Sequence, residues 1–252
     1  MSKFNFDSDI IKKFVQCVEN AVSDDIVEDI IKNDLRITNS IPSRIWDFIF
    51  SNLLRECNNE DFIPIVTVRG PWKMVIVYEK TTNCIFTFMR ENRFLQLKKQ
   101  QHKRKHMHYI DILTKQFNDK LKVDNEQISM YSTENNFTDS NKLNLLVKNL
   151  LKDLGSNVSI VKNHVLILFD SFNNQLMSIR AVMITPNLEI ADGCEEDWSP
   201  YIRNDSIVVP KITDKNLPEN NPNRGLRLTA KATAKQKKHN LKFNDQSSEN
   251  LK

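Results

Sequence analysis

Glycine is scarce, with only 4 in 252 residues, at positions 70, 155, 193 and 225. None opens a G-x-x-x-x-G-K or G-x-G-x-x-G run, which excludes the loops that wrap nucleotide phosphates in backbone N–H groups. No cofactor is therefore expected. Four cysteines, Cys17, Cys57, Cys84 and Cys194, stand far apart without a C-x-x-C pair. That spacing supports neither a zinc ribbon nor a disulfide framework, so reduced thiols are expected, with Cys17 and Cys84 packing as small hydrophobes. Long apolar runs are missing as well. The longest, Met74 to Tyr78 and Val165 to Phe169, span five residues, against about 20 for a bilayer crossing. The opening MSKFNFDSDII places acids where a signal peptide carries basic and then apolar residues, so a cytoplasmic protein without membrane contact is expected. A G-x-S-x-G nucleophile elbow is absent too.

What is present is an ordinary globular composition: 40% apolar, 27% charged, mean hydropathy −0.48. The 29 asparagines beside 36 Lys and Arg are a bias that AT-rich coding sequence produces whatever the function. The net charge of +4 conceals an uneven distribution. Residues 90–105 hold seven basic residues, Arg90, Arg93, Lys98, Lys99, Lys103, Arg104 and Lys105, against Glu91 alone. Residues 203–252 hold 11 basic and 5 acidic residues. The rest of the chain is acidic, so two local sites are able to meet phosphate. Proline, asparagine and charge with little to bury mark residues 204–252 as a largely disordered basic tail behind a single domain of residues 1–203. Within the tail, residues 224–242, including Lys235, Lys237 and Lys238, carry no acid. That segment reads either as a polyanion contact or as a solvated solubility tail.

Periodicity gives the architecture. Ile11, Phe14, Val15, Val18 and Val22 recur at helical spacing behind Asp7 or Ser8, and Ile26, Val27, Ile30, Ile31 and Leu35 form a second stripe. A third helix opens with Pro42 in its first turn and carries Trp46 and Phe50 among residues covering more than one face. Residues 62–68, 73–79 and 84–89 are short, β-branched or aromatic runs and read as a three-stranded meander. Helices follow over 107–121 and from about 140 to Gly155. Residues 164–170 and 175–185 flank Asn173-Asn174, which tolerates the positive φ of a tight hairpin. The order lacks βαβ alternation, so the expected fold class is α+β: N-terminal helices and a mostly antiparallel sheet of about five strands, with two intervening helices.

Candidate chemistry concentrates in the basic run. His102, His106 and His108 lie close together, but the surrounding cations oppose a dication and the H-E-x-x-H glutamate is missing, so no metal is expected. Lys98, Lys99, Lys103, Arg104 and Lys105 would release counterions from a phosphate backbone, and the histidines would add donors. A helical-toxin ribonuclease spacing fails between Arg104 and His108. A magnesium nuclease would need a carboxylate and a Glu/Asp-x-Lys triplet, which Glu79-Lys80 does not supply. Arg69 and Trp72 flank Gly70-Pro71 in a loop that can stack a base, unless the tryptophan folds back on the core. Residues 189–197 form an acidic loop before Trp198, open to a basic protein partner or to the chain's own tail.

The residues Arg69, Gly70, Pro71, Trp72, then Met89 and Arg90, then His108, Tyr109, Ile110 and Asp111 resemble a family of uncharacterised proteins from low-GC bacterial genomes. The resemblance covers under a third of the chain. It implies no activity and no catalytic residue, only a setting among mobile elements where phage-defence and toxin-antitoxin genes gather.

Three functions stay open. The first is a nucleic-acid-contacting module using residues 90–105 and the tail, with affinity that falls as salt rises. The second is a nuclease with His106 or His108 as acid/base and Arg90 or Arg93 supporting phosphate. The third is a protein-interaction component of antitoxin or immunity type. Whether the chain is an enzyme, and its oligomeric state, are left open by the sequence.

Overall fold

The computed structural model describes residues 6–104, 106–123 and 140–203, apart from the side chains of Arg69 and His102. These residues belong to one compact unit, Met1–Ser206. The tail residues Lys235, Lys237 and Lys238, and Lys105, lie outside the described residues.

Helix α1 (Ser8–Val22) starts where the Asp7 carboxylate accepts from the Asp9 N–H at 2.8 Å, satisfying one of the donors that a helix start leaves open. Its stripe of Ile11, Phe14, Val15, Val18 and Val22 is buried. After a turn at Ser23, α2 (Asp24–Lys32) buries Ile26 and Ile30. The third helix, α3 (Ile41–Glu56), has Pro42 in its first turn, where a missing N–H costs nothing.

Six strands follow: β1 (Phe62–Arg69), β2 (Trp72–Glu79), β3 (Cys84–Arg90), β4 (Asn163–Phe172), β5 (Gln175–Ile184) and β6 (Ile190–Asp197). They lie in one sheet in chain order. Every pairing is antiparallel except that of β3 with β4. Parallel neighbours need a crossover, and α4 (Glu91–Lys99), α5 (Tyr109–Phe117) and α6 (Ser140–Leu150) supply it. Alternation then splits the core in two. On one face Val75, Phe86, Val165 and Ile179 pack with α1–α3, and Phe14 meets Phe86 with ring centroids 4.9 Å apart. On the other face Ile76, Ile85, Leu166 and Val182 pack against α4–α6. The chain is thus α+β in three layers, with β3 and β4 buried on both faces.

Turn chemistry follows the sequence closely. Gly70 adopts φ +59 at the head of a two-residue loop between the paired residues Arg69 and Trp72, as hairpins with glycine in the first loop position require. Asn173 and Asn174 both take positive φ. Pro64 sits in β1, an edge strand, where its missing N–H spoils no ladder.

Several expectations change. The sheet has six strands rather than about five, because residues 189–197 are not an acidic loop but chiefly edge strand β6. Its carboxylates stand on exposed or half-exposed positions around buried Ala191 and Cys194, and charge is how edge strands resist further pairing. Helix 107–121 is shorter because His108 caps it from outside and it ends at Phe117. The helix from Ser140 stops at Leu150, before Gly155, which lies with φ +58 inside a 3-10 stretch, Lys152–Ile160. Part of the basic run, expected only as a charged segment, forms α4.

Candidate nucleic-acid interface

Antiparallel pairing between β2 and β3 covers only Val77 with Phe86, Tyr78 with Ile85 and Glu79 with Cys84. Beyond Phe86, β3 keeps its pairing with β4 as far as Arg90, while β2 keeps its pairing with β1 as far as Trp72. Extending the β2 and β3 register would set Lys73 opposite Arg90, and like charges directly opposite destabilise a ladder. A cleft of about 570 Å³ lies at this parting. Trp72, Lys73 and Met74 line it from β2, and Phe88, Met89 and Arg90 from β3. Trp46, Asp47 and Phe50 of α3, Arg93 of α4, and His108 and Tyr109 at the start of α5 also line it, with Asn39, Pro42 and Ser43.

The cationic end is built around Arg90. Its guanidinium carbon stands 5.5 Å from the centroid of the Phe169 ring, and Nη1 donates to Ser171 Oγ at 3.0 Å. No carboxylate among the described residues reaches ion-pair distance of it, although Asp170 acts from further off. Burial lowers its pKa from the ordinary value, and Asp170 opposes that shift. A half-buried guanidinium held by a hydroxyl and a ring carries a desolvation cost that no close carboxylate among the described residues offsets. Arg93 and Lys73 are exposed on the same wall. Asp47 is the one carboxylate in that lining.

The aromatic end lies on α3 and β2. Trp46 stacks on Phe50 with centroids 5.5 Å apart and 29° between planes, and meets Phe169 edge-on at 5.5 Å. Trp72 does not fold back on the core; 60% of it is exposed. Trp198, by contrast, is fully buried and donates from Nε1 to Glu196 at 2.9 Å.

His108 enters the cleft wall as a helix cap. Its Nδ1 accepts from the Ile110 N–H at 3.3 Å, and its own N–H donates to Asp111 Oδ2 at 2.7 Å. An Nδ1 that accepts carries no proton, so the neutral ring holds its proton on Nε2. In that tautomer the Nδ1 lone pair is committed to the start of α5. Arg104 holds the arrangement by a two-pronged ion pair with Asp111, at 2.7 and 2.8 Å. His106 is exposed and absent from the cleft lining; the structure does not bring it together with His108 as an acid/base pair.

The basic run therefore divides. Arg90 and Arg93 reach the cleft, whereas Lys98 pairs with Glu189 and Arg104 with Asp111. Lys99 and Lys103 are exposed outside it. Residues 189–197 likewise have partners within the chain: Glu195 pairs with Arg180, which also holds Glu91 at 2.6 Å, and Glu196 accepts from Trp198. Sequence reasoning missed Trp46, Asp47, Phe50 and Lys73, because their convergence depends on α3 crossing the parted strands. For Trp46 and Phe50 the sequence signal is an apolar surface on α3 wider than one helix face needs, and Asp47 and Lys73 have none.

Glu79, buried at the far end of β2, accepts from the Thr81 and Thr82 N–H groups at 2.6 and 2.7 Å and so closes its own turn. Among the described residues no three His, Cys, Asp or Glu side chains gather in a way that would hold a metal ion. No described helix is long and apolar enough to cross a membrane.

No curated protein and no solved structure matches the chain. A family model, described as a family of unknown function (DUF5986), matches residues 3–245. With nearly the whole sequence inside that match, the chain belongs to this family of unknown function.

Proposed function

We propose that the protein contacts nucleic acid, with phosphate meeting Arg90, Arg93 and Lys73 at the cleft where β2 and β3 part. The observation that carries this reading is the Arg90 guanidinium: half-buried, desolvated enough to lower its pKa, and without a carboxylate at ion-pair distance among the described residues. Burying a cation without a partner is costly, and an entering anion offsets that cost. Three cations against Asp47 favour a polyanion, and the surrounding aromatic side chains favour one that also carries flat rings. His108 is buried and its Nδ1 already accepts from the Ile110 N–H, which lends little to a nuclease reading that needs a base facing the ligand.

The test is fluorescence anisotropy of labelled RNA and DNA with the full chain and with Arg90→Gln, at two salt concentrations, while cleavage is scored on gels. Affinity that falls steeply with salt and drops about tenfold in Arg90→Gln is expected. A flat salt response, or unchanged binding by Arg90→Gln, overturns the reading. Cleavage that depends on His108 would replace it with the nuclease.

A further inference from the structure

Trp72 borders a second hollow. That hollow, of about 450 Å³, shares Asp47, Phe50, Trp72, Lys73 and Met74 with the cleft, so the two adjoin along this wall. Neither Arg90 nor Arg93 reaches the second hollow; its further lining includes Leu54 and Val66, both exposed apolar side chains. The Gly70-Pro71 turn immediately before Trp72 fixes the backbone from which the indole projects. Trp72 is thus an exposed tryptophan lining two hollows, with the two arginines on one side only and Lys73 common to both.

We propose that the site takes unpaired nucleic acid, one base entering each hollow, with Trp72 between successive bases and a phosphate directed to Arg90 and Arg93. This narrows the phosphate-contact reading above and rests on it. Bases in a duplex are already stacked and paired, and parting them to admit an indole costs energy that a single strand is largely spared. Each hollow is of a size that holds a ring-sized ligand. Within the cleft the stacked pair Trp46 and Phe50 offers a second aromatic surface. Asp47, common to both hollows, repels phosphate and accepts from the amino groups of a base. Leu54 and Val66 gain by covering a ring and gain nothing from a phosphate.

Three probes of equal length separate stacking from charge: a labelled single strand, its blunt duplex, and a strand whose sugars carry no bases. They are titrated against the full chain and against Trp72→Ala, with folding of the variant checked by circular dichroism. The intact single strand is expected to bind about tenfold or more tightly than either of the others. Trp72→Ala is expected to lower intact-strand affinity to the level of the abasic strand and leave abasic binding unchanged. Tryptophan emission should be quenched by the intact strand, and less so in Trp72→Phe. Abasic and intact strands binding alike, or Trp72→Ala binding both as the parent does, overturns the stacking inference and leaves phosphate contact standing. Failure of all three probes to bind overturns both.

Discussion

The two ends of one basic run behave as opposites. At residues 90–93 the cations face a cleft, and Arg90 is held by a ring and a hydroxyl. At residues 98–104, Lys98 and Arg104 are spent on carboxylates of the same chain, and the Arg104 pair with Asp111 is largely buried. A charge run is not a binding site until its internal partners are known. Arg104 builds a helix start, through Asp111 and the N–H of His108, whereas Arg90 has only Ser171, the Phe169 ring and the more distant Asp170.

Breaking the internal half should have the largest effect. Asp111→Ala removes both the partner of Arg104 and the acceptor for the His108 N–H, and is expected to lower stability in urea unfolding by about 3–5 kcal/mol. A joint Arg104→Met and Asp111→Leu replacement should recover much of that loss, since it leaves no buried charge.

Acid tests a different buried group in the same layer. His164 lies wholly inside, with Nε2 2.8 Å from Thr87 Oγ1, and burial lowers its pKa to about 3. The folded state thus resists a proton that the unfolded chain takes up below about pH 6.5. Its contribution to stability is whole above that pH and shrinks as pH falls toward 3, by about 1.4 kcal/mol per pH unit. Stability measured between pH 7 and 4 should slope this way in the parent and lose most of that slope in His164→Gln.

The open half responds in binding. Arg90→Gln should weaken nucleic-acid affinity about tenfold while leaving thermal stability unchanged or slightly raised, because it removes a desolvated charge without a close carboxylate. Melting curves and anisotropy on the same preparation check both parts. A smaller effect is expected from Lys98→Gln. Its pair with Glu189 is substantially exposed, so stability should fall by less than about 1 kcal/mol and binding should barely change. Equal binding losses from Arg90→Gln and Lys98→Gln would erase the contrast between the two ends.

Much of the fold was legible because it rests on local patterns. The stripe from Ile11 to Val22, the positive φ of Asn173 and Asn174, and the short runs of β1 to β5 follow from periodicity and turn chemistry. Strand β6 was not legible, since the unbroken acidic run Glu195-Glu196-Asp197 after Gly193 looks like a loop until Arg180 is placed opposite. In the site, Arg90, Arg93, Trp72 and His108 were named from sequence, and the structure brings them to one cleft. It leaves His106, Lys98 and Arg104 out of that lining. Trp46 and Lys73 were missed because nothing within either segment marks them as neighbours.

The α+β class, the helical stripes and the Gly70-Pro71 turn can be read along the chain, because each depends on interactions within a few residues. Where β2 leaves β3, which described cations find carboxylates, and that Trp72 stands exposed are outcomes of long-range packing. Those outcomes depend on pairings between residues far apart in the chain, such as Arg104 with Asp111 against Arg90 with Phe169. A list of charges holds no record of them.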